Sequence, residues 1–315
     1  MIDAKTRCLF MILALSSLNA GAARCLYVSS YHIGYAWSDG IERGVYKTLG
    51  KQCETTSFYM DTKRHKDEVS KKNAALEAKL LIEKIKPDVV IAADDNASKY
   101  LVAPYYKNAE LPFVFCGINW TVEAYGYPYN NATGMIEVAA IEPLFQKALA
   151  ITGEIRQAYY IGANTLTEEK EYERFKMVAK KHRIHTIKRL ANTTRAWESA
   201  YIEAQKSDLI IIGSNAGITD WNESDIAKTL LKHTKVFSVT TSDWMMPFTM
   251  LGLTKVPEEQ GEWSAKVALE IIKGVSPSQI PIIPNRKFNI VINSNLFSAA
   301  KIRIPESIKL KAQYL

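Results

Sequence analysis

The chain has 315 residues, with 40 Lys plus Arg against 33 Asp plus Glu and a formal net charge of +7. The basic excess is mild and lies on mixed Lys/Glu helices such as 170–182, the pattern of a solvated face; this sets nucleic acid aside as a partner. No stretch after the N-terminus is long and apolar enough for a membrane helix.

Lys5 and Arg7, the apolar run 8–15 and Ala20-Gly21-Ala22-Ala23 have the layout of a secretory signal peptide over residues 1–22, with cleavage after Ala22 or Ala23. Arg24 immediately before Cys25 argues against a lipoprotein anchor. The mature protein is therefore expected in the periplasm, not embedded in the membrane. Its roughly 290 residues suit two lobes better than one core. Without Lys5, Arg7 and Asp3 the charge is +6. Cys25, Cys53 and Cys116 remain. If the strands near Cys25 and Cys53 are parallel neighbours, an oxidising compartment allows a bridge between them, with two buried free thiols as the equal alternative.

Residues 26–30 are a short β-branched run ending in small hydroxyls, and Ile41, Val45, Tyr46 and Leu49 recur at helical spacing after Ser38, an expected N-cap. The loop between them gathers Tyr31, His32, Tyr35 and Trp37 around Gly34, side chains that are costly to leave in water. At the carboxyl end of a strand in an open α/β sheet, such a loop forms one wall of a binding site; packing of Tyr35 and Trp37 onto the neighbouring helix is the plainer alternative.

Strand and helix then alternate: strand 54–60, a helix over 66–85 with Ala74, Ala78, Leu81 and Ile85 inward and Pro87 as its stop, strand 88–93, a helix to 107 and strand 111–116. That rhythm specifies a doubly wound parallel sheet. Segment 122–133 interrupts it with Gly126, Pro128, Asn130 and Asn131. After strand 134–137 and helix 140–151 it resumes, with strands at 157–161, 185–190, 208–212 and 235–239 and helices at 168–181, 196–206 and 224–233. The tail holds 250–254, a helix over 258–273 and the extended stretch 280–293. If that helix returns to the first lobe and the last strand crosses back, three segments join the lobes as a hinge. The expected division is 23–136 with 254–281 in lobe 1, and 137–253 with 282–315 in lobe 2.

Three pieces now carry a resemblance: Ser29-Ser-Tyr-His-Ile-Gly-Tyr-Ala-Trp-Ser38; Leu111-Pro-Phe-Val-Phe-Cys-Gly-Ile-Asn119; and Ile280-Pro-Ile-Ile-Pro followed by Ile290-Val-Ile-Asn-Ser and Ile304-Pro-Glu-Ser-Ile. In order and spacing they resemble the substrate-binding proteins of ABC transporters, over nearly all of the mature chain. The aromatic first loop looks most like the branch found beside membrane sensor kinases and cyclases. The resemblance implies an α/β fold of two doubly wound parallel-sheet lobes joined by a three-segment hinge, the type I periplasmic-binding fold. It also implies a small-molecule ligand held between the lobes, and an ABC permease or a membrane sensor protein as partner.

Carried over by position, the ligand contacts implied in lobe 1 are Ser30, Tyr31, His32, Tyr35 and Trp37, then Asp94, Asp95 and Asn96, then Gly117 and Asn119. In lobe 2 they are Asn164 and Thr165, Ser214 and Asn215, and Thr241, Ser242 and Asp243. Glu137 lies on an expected crossing strand. The bulky Trp244-Met245-Met246 departs from better-known members.

Asp94 and Asp95 form an adjacent carboxylate pair, but consecutive residues point apart, so one is expected to cap the next helix and the other to meet the ligand. Free helix N-termini at the cleft suit a ligand with a carboxylate or several polar groups. His182 and His185 fall where a helix gives way to a strand among Lys180, Lys181 and Arg183, with no further ligand near in sequence, so no metal is expected there. A glycine-rich phosphate loop, a Gly-x-Ser-x-Gly elbow and a His-Glu-x-x-His pair are all missing. The expectation is a binding protein without cofactor. Delivery to an importer is the leading reading, a sensory module the second and an enzyme the third.

Overall fold

The computed structural model describes residues 22–315, so the signal-peptide expectation falls outside the described residues. The first lobe runs through β1 (Ala23–Ser29), α1 (Ala36–Leu49), β2 (Cys53–Tyr59), α2 (Glu68–Ile85) and β3 (Val89–Ala93). It continues through α3 (Asp94–Ala97), a π-helical turn (Ser98–Val102), α4 (Ala103–Tyr105), β4 (Phe113–Asn119) and β5 (Ala132–Glu137). Along β1, Leu26 and Val28 enter an apolar cluster with Ala78 and Ile82 of α2, while Cys25 and Tyr27 join a second cluster with Ile41 and Val45 of α1. Helices cover both faces, which is why β3 is buried at every position and reads as an unbroken apolar run.

The second lobe comprises α5 (Ile141–Thr152), β6 (Gln157–Ala163), α6 (Leu166–Lys181), β7 (His185–Ala191), α7 (Thr194–Ala204), β8 (Leu209–Ile212), α8 (Glu223–His233), β9 (Ser238–Thr240), a 3-10 turn (Asp243–Phe248) and β10 (Leu251–Lys255). Its core centres on Tyr159, Tyr160 and Trp197, the last stacked on Tyr201 with ring centroids 5.5 Å apart.

The chain then returns to the first lobe as α9 (Pro257–Ile272), which packs closely against α1. A Cβ on Gly261 would collide with the Ile41 carbonyl, and one on Gly44 with the Glu258 carbonyl, so glycine at both positions sets the helix spacing. β11 (Ile283–Pro284) pairs with β5, completing a six-stranded parallel sheet in the order β11-β5-β4-β3-β1-β2. β12 (Phe288–Ile292) pairs antiparallel with β10. After α10 (Ser294–Ala300) and α11 (Glu306–Lys309), β13 (Ala312–Tyr314) closes a seven-stranded sheet in the order β13-β12-β10-β9-β8-β6-β7. The two doubly wound α/β lobes are those expected.

The chain passes between the sheets three times: after β5, after β10 and after β11. The third crossing is tied to the other two. Asn285 accepts from the Val138 amide at 2.7 Å, and Glu259 accepts from the Lys287 amide at 2.7 Å. Strand pairing keeps Glu137 and 283–284 in the first sheet and 254–255 in the second, so the crossings sit one to three residues later than the expected boundaries. Composition marks no point at which a strand leaves its sheet.

Local readings shift for similar reasons. α1 starts at Ala36 with Tyr35 as N-cap, so Ser38 is not the cap but a buried first-turn residue turned to Asp94. The inward face of α2 is centred on Ala75, Ala78 and Ile82, with the expected Ala74, Leu81 and Ile85 partly buried against the same cluster. Cys25 and Cys53 are disulfide-bonded across β1 and β2 with Cα atoms 5.9 Å apart, and Cys116 is a buried free thiol.

Candidate ligand site between the lobes

The carboxyl ends of both sheets meet at a cavity of about 980 Å³. Such a junction is where open α/β sheets take ligands. Tyr31, Tyr35 and Trp37 of the first loop, Asp94, Asn119, Trp120 and Glu137 form the first wall. Thr165, Thr167, Glu168 and Glu171, then Gly213 and Ser214, then Thr241 to Trp244 form the second. Lys63 and Lys255 are the two lining cations.

The first wall is held by a network built on two carboxyls. Asp94 is buried and left-handed at φ 68°, a conformation few side-chain-bearing residues adopt and one in which Asp and Asn are enriched. Trp37 Nε1 donates to its Oδ1 at 3.1 Å and Ser38 Oγ to its Oδ2 at 3.4 Å. Burial, then the charges of Glu137 and Asp95, push the Asp94 carboxyl well above the usual range, against the Trp37 bond that favours its ionised form. Glu137, also buried, is raised by burial and held down by the ion pair with Lys255. Lys255 in turn lies 5.5 Å from the Trp37 ring centroid, and Lys63 stands 4.5 Å and 5.0 Å from those of Tyr31 and Tyr35, so both lysines extend over aromatic faces.

The second wall turns on Glu168, in the first turn of α6 behind the Thr165 cap. It is 3% exposed. Tyr160 OH donates to Oε2 at 2.7 Å and the Ser214 amide to the same oxygen at 2.9 Å. The niche exists because Gly162 and Gly213 end the flanking strands: a Cβ at either would overlap Oε2. Burial pushes the carboxyl up to about 7, with Glu171 adding to the rise, despite the two hydrogen bonds that lower it. Glu171 accepts from Trp120 Nε1 at 3.1 Å and pairs with Arg174, whose guanidinium lies 4.1 Å from the Trp120 ring centroid, so this contact spans the lobes.

Of the residues singled out in the sequence, the cavity brings together Tyr31, Tyr35, Trp37, Asp94, Asn119, Glu137, Thr165, Ser214, Thr241, Ser242 and Asp243. The others lie off it. Ser30 is buried between the Ala93 carbonyl and the Ala97 amide, and His32 turns to Asp61 at 3.4 Å. Asp95 accepts from Asn119 and Tyr125, Asn96 donates to Thr62, and the Gly117 amide donates to Gln260. Asn164 and Asn215 stand outside the lining; the Asn164 amide donates to the Ala191 carbonyl across the strand ends, and the Asn215 carbonyl accepts from the Ile218 amide in a turn. Neither Asp94 nor Asp95 caps a helix through its side chain; Ala93 is the N-cap and α3 begins at Asp94 itself. Trp120, Glu168 and Glu171 went unnoticed in the sequence. A glutamate three residues after a capping threonine is an ordinary first-turn residue, and only the paired glycines Gly162 and Gly213, each ending an apolar run, signal a close approach there.

His182 Nε2 is 2.8 Å from Glu142, a pairing that leaves His185 out. Among the described residues no group of three or more His, Cys, Asp or Glu is arranged to hold a metal, and no helix is long and apolar enough to cross a membrane. The cavity lining contains Ser and Thr hydroxyls but neither His nor Cys, so the lining itself holds no Ser–His or Cys–His nucleophile pair.

A family model for ABC transporter substrate binding proteins matches residues 35–315. A search of curated proteins gave no match. Among solved structures, a substrate binding protein with adhesive properties from Clostridium difficile, in its ligand-free, open form, superposes with a TM-score of 0.75 at 13% identity, covering 93% of this chain and 99% of that one. A conserved domain protein from Vibrio cholerae gives 0.59 at 17% identity (93% and 99% covered), and a periplasmic ribose ABC transporter protein from Conexibacter woesei gives 0.57 at 14% (93% and 98%). At these identities the likeness is one of fold, the type I periplasmic-binding fold of binding and transport proteins. With a family match over nearly its whole length and this fold around an interlobe cavity, the chain belongs to the ABC transporter substrate-binding protein family.

Proposed function

We propose that the protein is exported to the periplasm, closes its two lobes around one small organic ligand and delivers it to an ABC permease. The observation that carries this reading is the composition of the cavity: aromatic rings from the first lobe oppose hydroxyl and carboxyl tips from the second, while three crossings join rigid sheets. Rings bury a ligand's body and polar tips orient it. Contacts from both lobes are complete only when the lobes close, so ligand binding biases the open–closed equilibrium. The Cys25–Cys53 disulfide supports an oxidising compartment.

A thermal-shift screen of a metabolite library tests the reading. A ligand at a hundredfold excess over Kd stabilises the protein by about 2.7 kcal/mol, and small-angle scattering with that ligand should show compaction. A library in which nothing stabilises the protein overturns the reading, as does steady turnover of a bound compound. Mass spectrometry of periplasmic material should find an N-terminus at Ala23 or Arg24; retention of Lys5 and Arg7 would contradict export.

A further inference from the structure

The cavity is lined by five carboxyl groups, Asp94, Glu137, Glu168, Glu171 and Asp243, and by two ammonium groups, Lys63 and Lys255. Lys255 is engaged by Glu137, and Glu171 is engaged by Arg174 and Trp120. Asp94 is bonded by Trp37 and Ser38, which leaves Glu168 and Asp243 with a single further lysine in the lining, Lys63, and that lysine lies over two tyrosine rings. Acidity alone does not make a site. The decisive feature is how Glu168 is held: it is 3% exposed, both of its hydrogen bonds fall on Oε2, and Oε1 accepts none among the described residues. Gly162 and Gly213 make the room that lets this carboxyl sit at the cavity wall. Oε1 has no protein partner and is not sealed from the cavity's solvent, so it is an open acceptor on a mostly buried carboxylate, one that a charged donor on a ligand would fill with a strong, charge-assisted bond.

Resting on the ligand-binding reading above, we propose that the cavity selects organic cations, specifically a ligand whose protonated amine donates to Oε1 of Glu168 while its apolar body lies among the cavity's aromatic rings. An anionic ligand would meet an excess of carboxyls. A neutral hydroxyl would fill the acceptor without compensating its charge. The rings lining the same space favour a cation over an anion through their π faces. A cationic ligand departs from one arm of the sequence expectation, a ligand with a carboxylate or several polar groups, because at the N-terminus of α6 the Glu168 amide already donates to the Thr165 cap.

The test uses matched probes on the mature protein: 2-phenylethylamine, 2-phenylethanol and 3-phenylpropionate, with pentylamine, pentanol and pentanoate as aliphatic counterparts, titrated calorimetrically alongside the metabolite screen. The amine of the better set should bind at least tenfold more tightly than its alcohol, and the carboxylate most weakly. Glu168→Gln, with a native circular dichroism spectrum and a cooperative melt, should abolish the preference for amine over alcohol. Should that variant fail to fold, wild-type titrations replace it. Facing Glu168 are the Tyr160 hydroxyl from β6, the Ser214 amide from the loop after β8 and Glu171 from its own helix, so it is the group there that titrates near neutrality. Amine affinity should therefore rise from pH 6 to pH 8 while alcohol affinity stays flat. An alcohol or carboxylate binding as tightly as its amine, or a Gln variant that keeps the preference, overturns the proposal. Library compounds that stabilise the protein without any amine among them overturn it and leave the binding reading standing; a library with no stabilising compound at all removes both.

Discussion

The two walls of the cavity are built on opposite plans. On the first, most polar groups are committed to one another, Trp37 and Ser38 to Asp94, Asn119 and Tyr125 to Asp95, Lys255 to Glu137, while Lys63 lies over the Tyr31 and Tyr35 rings. On the second, Glu168 sits in a glycine niche with one oxygen engaged and one not. A wall whose bonds are internally satisfied supplies shape, and a wall with an unspent acceptor supplies selectivity. The bonded carboxyls and the disulfide frame of the first lobe should therefore answer perturbation mainly in stability, and Glu168 of the second mainly in ligand choice and pH response.

The largest effect expected is on the first lobe's frame. The Cys25–Cys53 bridge spans 28 residues of sequence, and by loop-closure entropy it contributes about 3–4 kcal/mol. Cys53→Ser should lower the free energy of unfolding by that amount and leave ligand Kd within about twofold, measured by urea titration and calorimetry. A large loss of affinity without loss of stability would break the comparison. Titrating wild type in denaturant should reveal one free thiol, Cys116; three would exclude the bridge.

Next in size is a pH effect from the second lobe. Glu168 has a folded-state pKa of about 7 against an ordinary 4.5, so the folded protein binds its proton more tightly than the unfolded chain. The associated stability is fully present below pH 4.5 and is lost as pH rises through 7, on the order of 3 kcal/mol in all. Unfolding free energies at pH 5 and pH 8.5 should therefore fall more steeply for wild type than for Glu168→Gln. Parallel pH profiles for the two proteins would mean that the carboxyl is not buried as described.

The same contrast explains what the sequence revealed and what it withheld. Both sheets were legible because their central strands are buried on both faces and read as apolar runs punctuated by turn residues, as in 89–93 and 209–212. The aromatic loop at 31–37 was legible because exposed rings are costly and call for a reason. Glu168 was not, because a glutamate near a helix N-terminus complements the helix dipole whether or not it faces a cavity. Asn215 was misplaced because consecutive loop residues point apart and the sequence carries no backbone dihedrals. The last elements, α10 to β13, are too short to show a period.

A third effect, equal on the two walls, tests whether both enclose one ligand. Trp37→Ala removes a ring from the first wall, and Asp243→Ala removes a carboxyl from the second. Each should raise Kd about tenfold, on the order of 1.4 kcal/mol, while the protein stays folded and shifts toward its open form in solution scattering. If both variants bind an identified ligand as well as wild type, the site lies elsewhere and the first loop is packing alone.

The smallest effect is the most diagnostic of how the first wall is wired. Asp94 is buried, and burial together with the charges of Glu137 and Asp95 pushes its carboxyl well above the usual range, a direction that favours the neutral acid. A neutral acid is close to isosteric with an amide. In Asp94→Asn the carbonyl oxygen still accepts from Trp37 Nε1, the amide nitrogen faces Ser38 Oγ, which can accept, and the left-handed backbone at φ 68° suits Asn as well as Asp. The substitution should therefore change unfolding free energy at pH 7 by less than about 1 kcal/mol. Asp94→Ala should cost about 1–3 kcal/mol, because it leaves the Trp37 N–H unpaired in a partly buried position and holds a β-carbon in a left-handed conformation without a polar side chain to support it. Urea titrations of the three proteins decide the matter: if Asn costs as much as Ala, Asp94 is ionised in the native state, and the first wall holds a second charge available to a cationic ligand in place of a satisfied network.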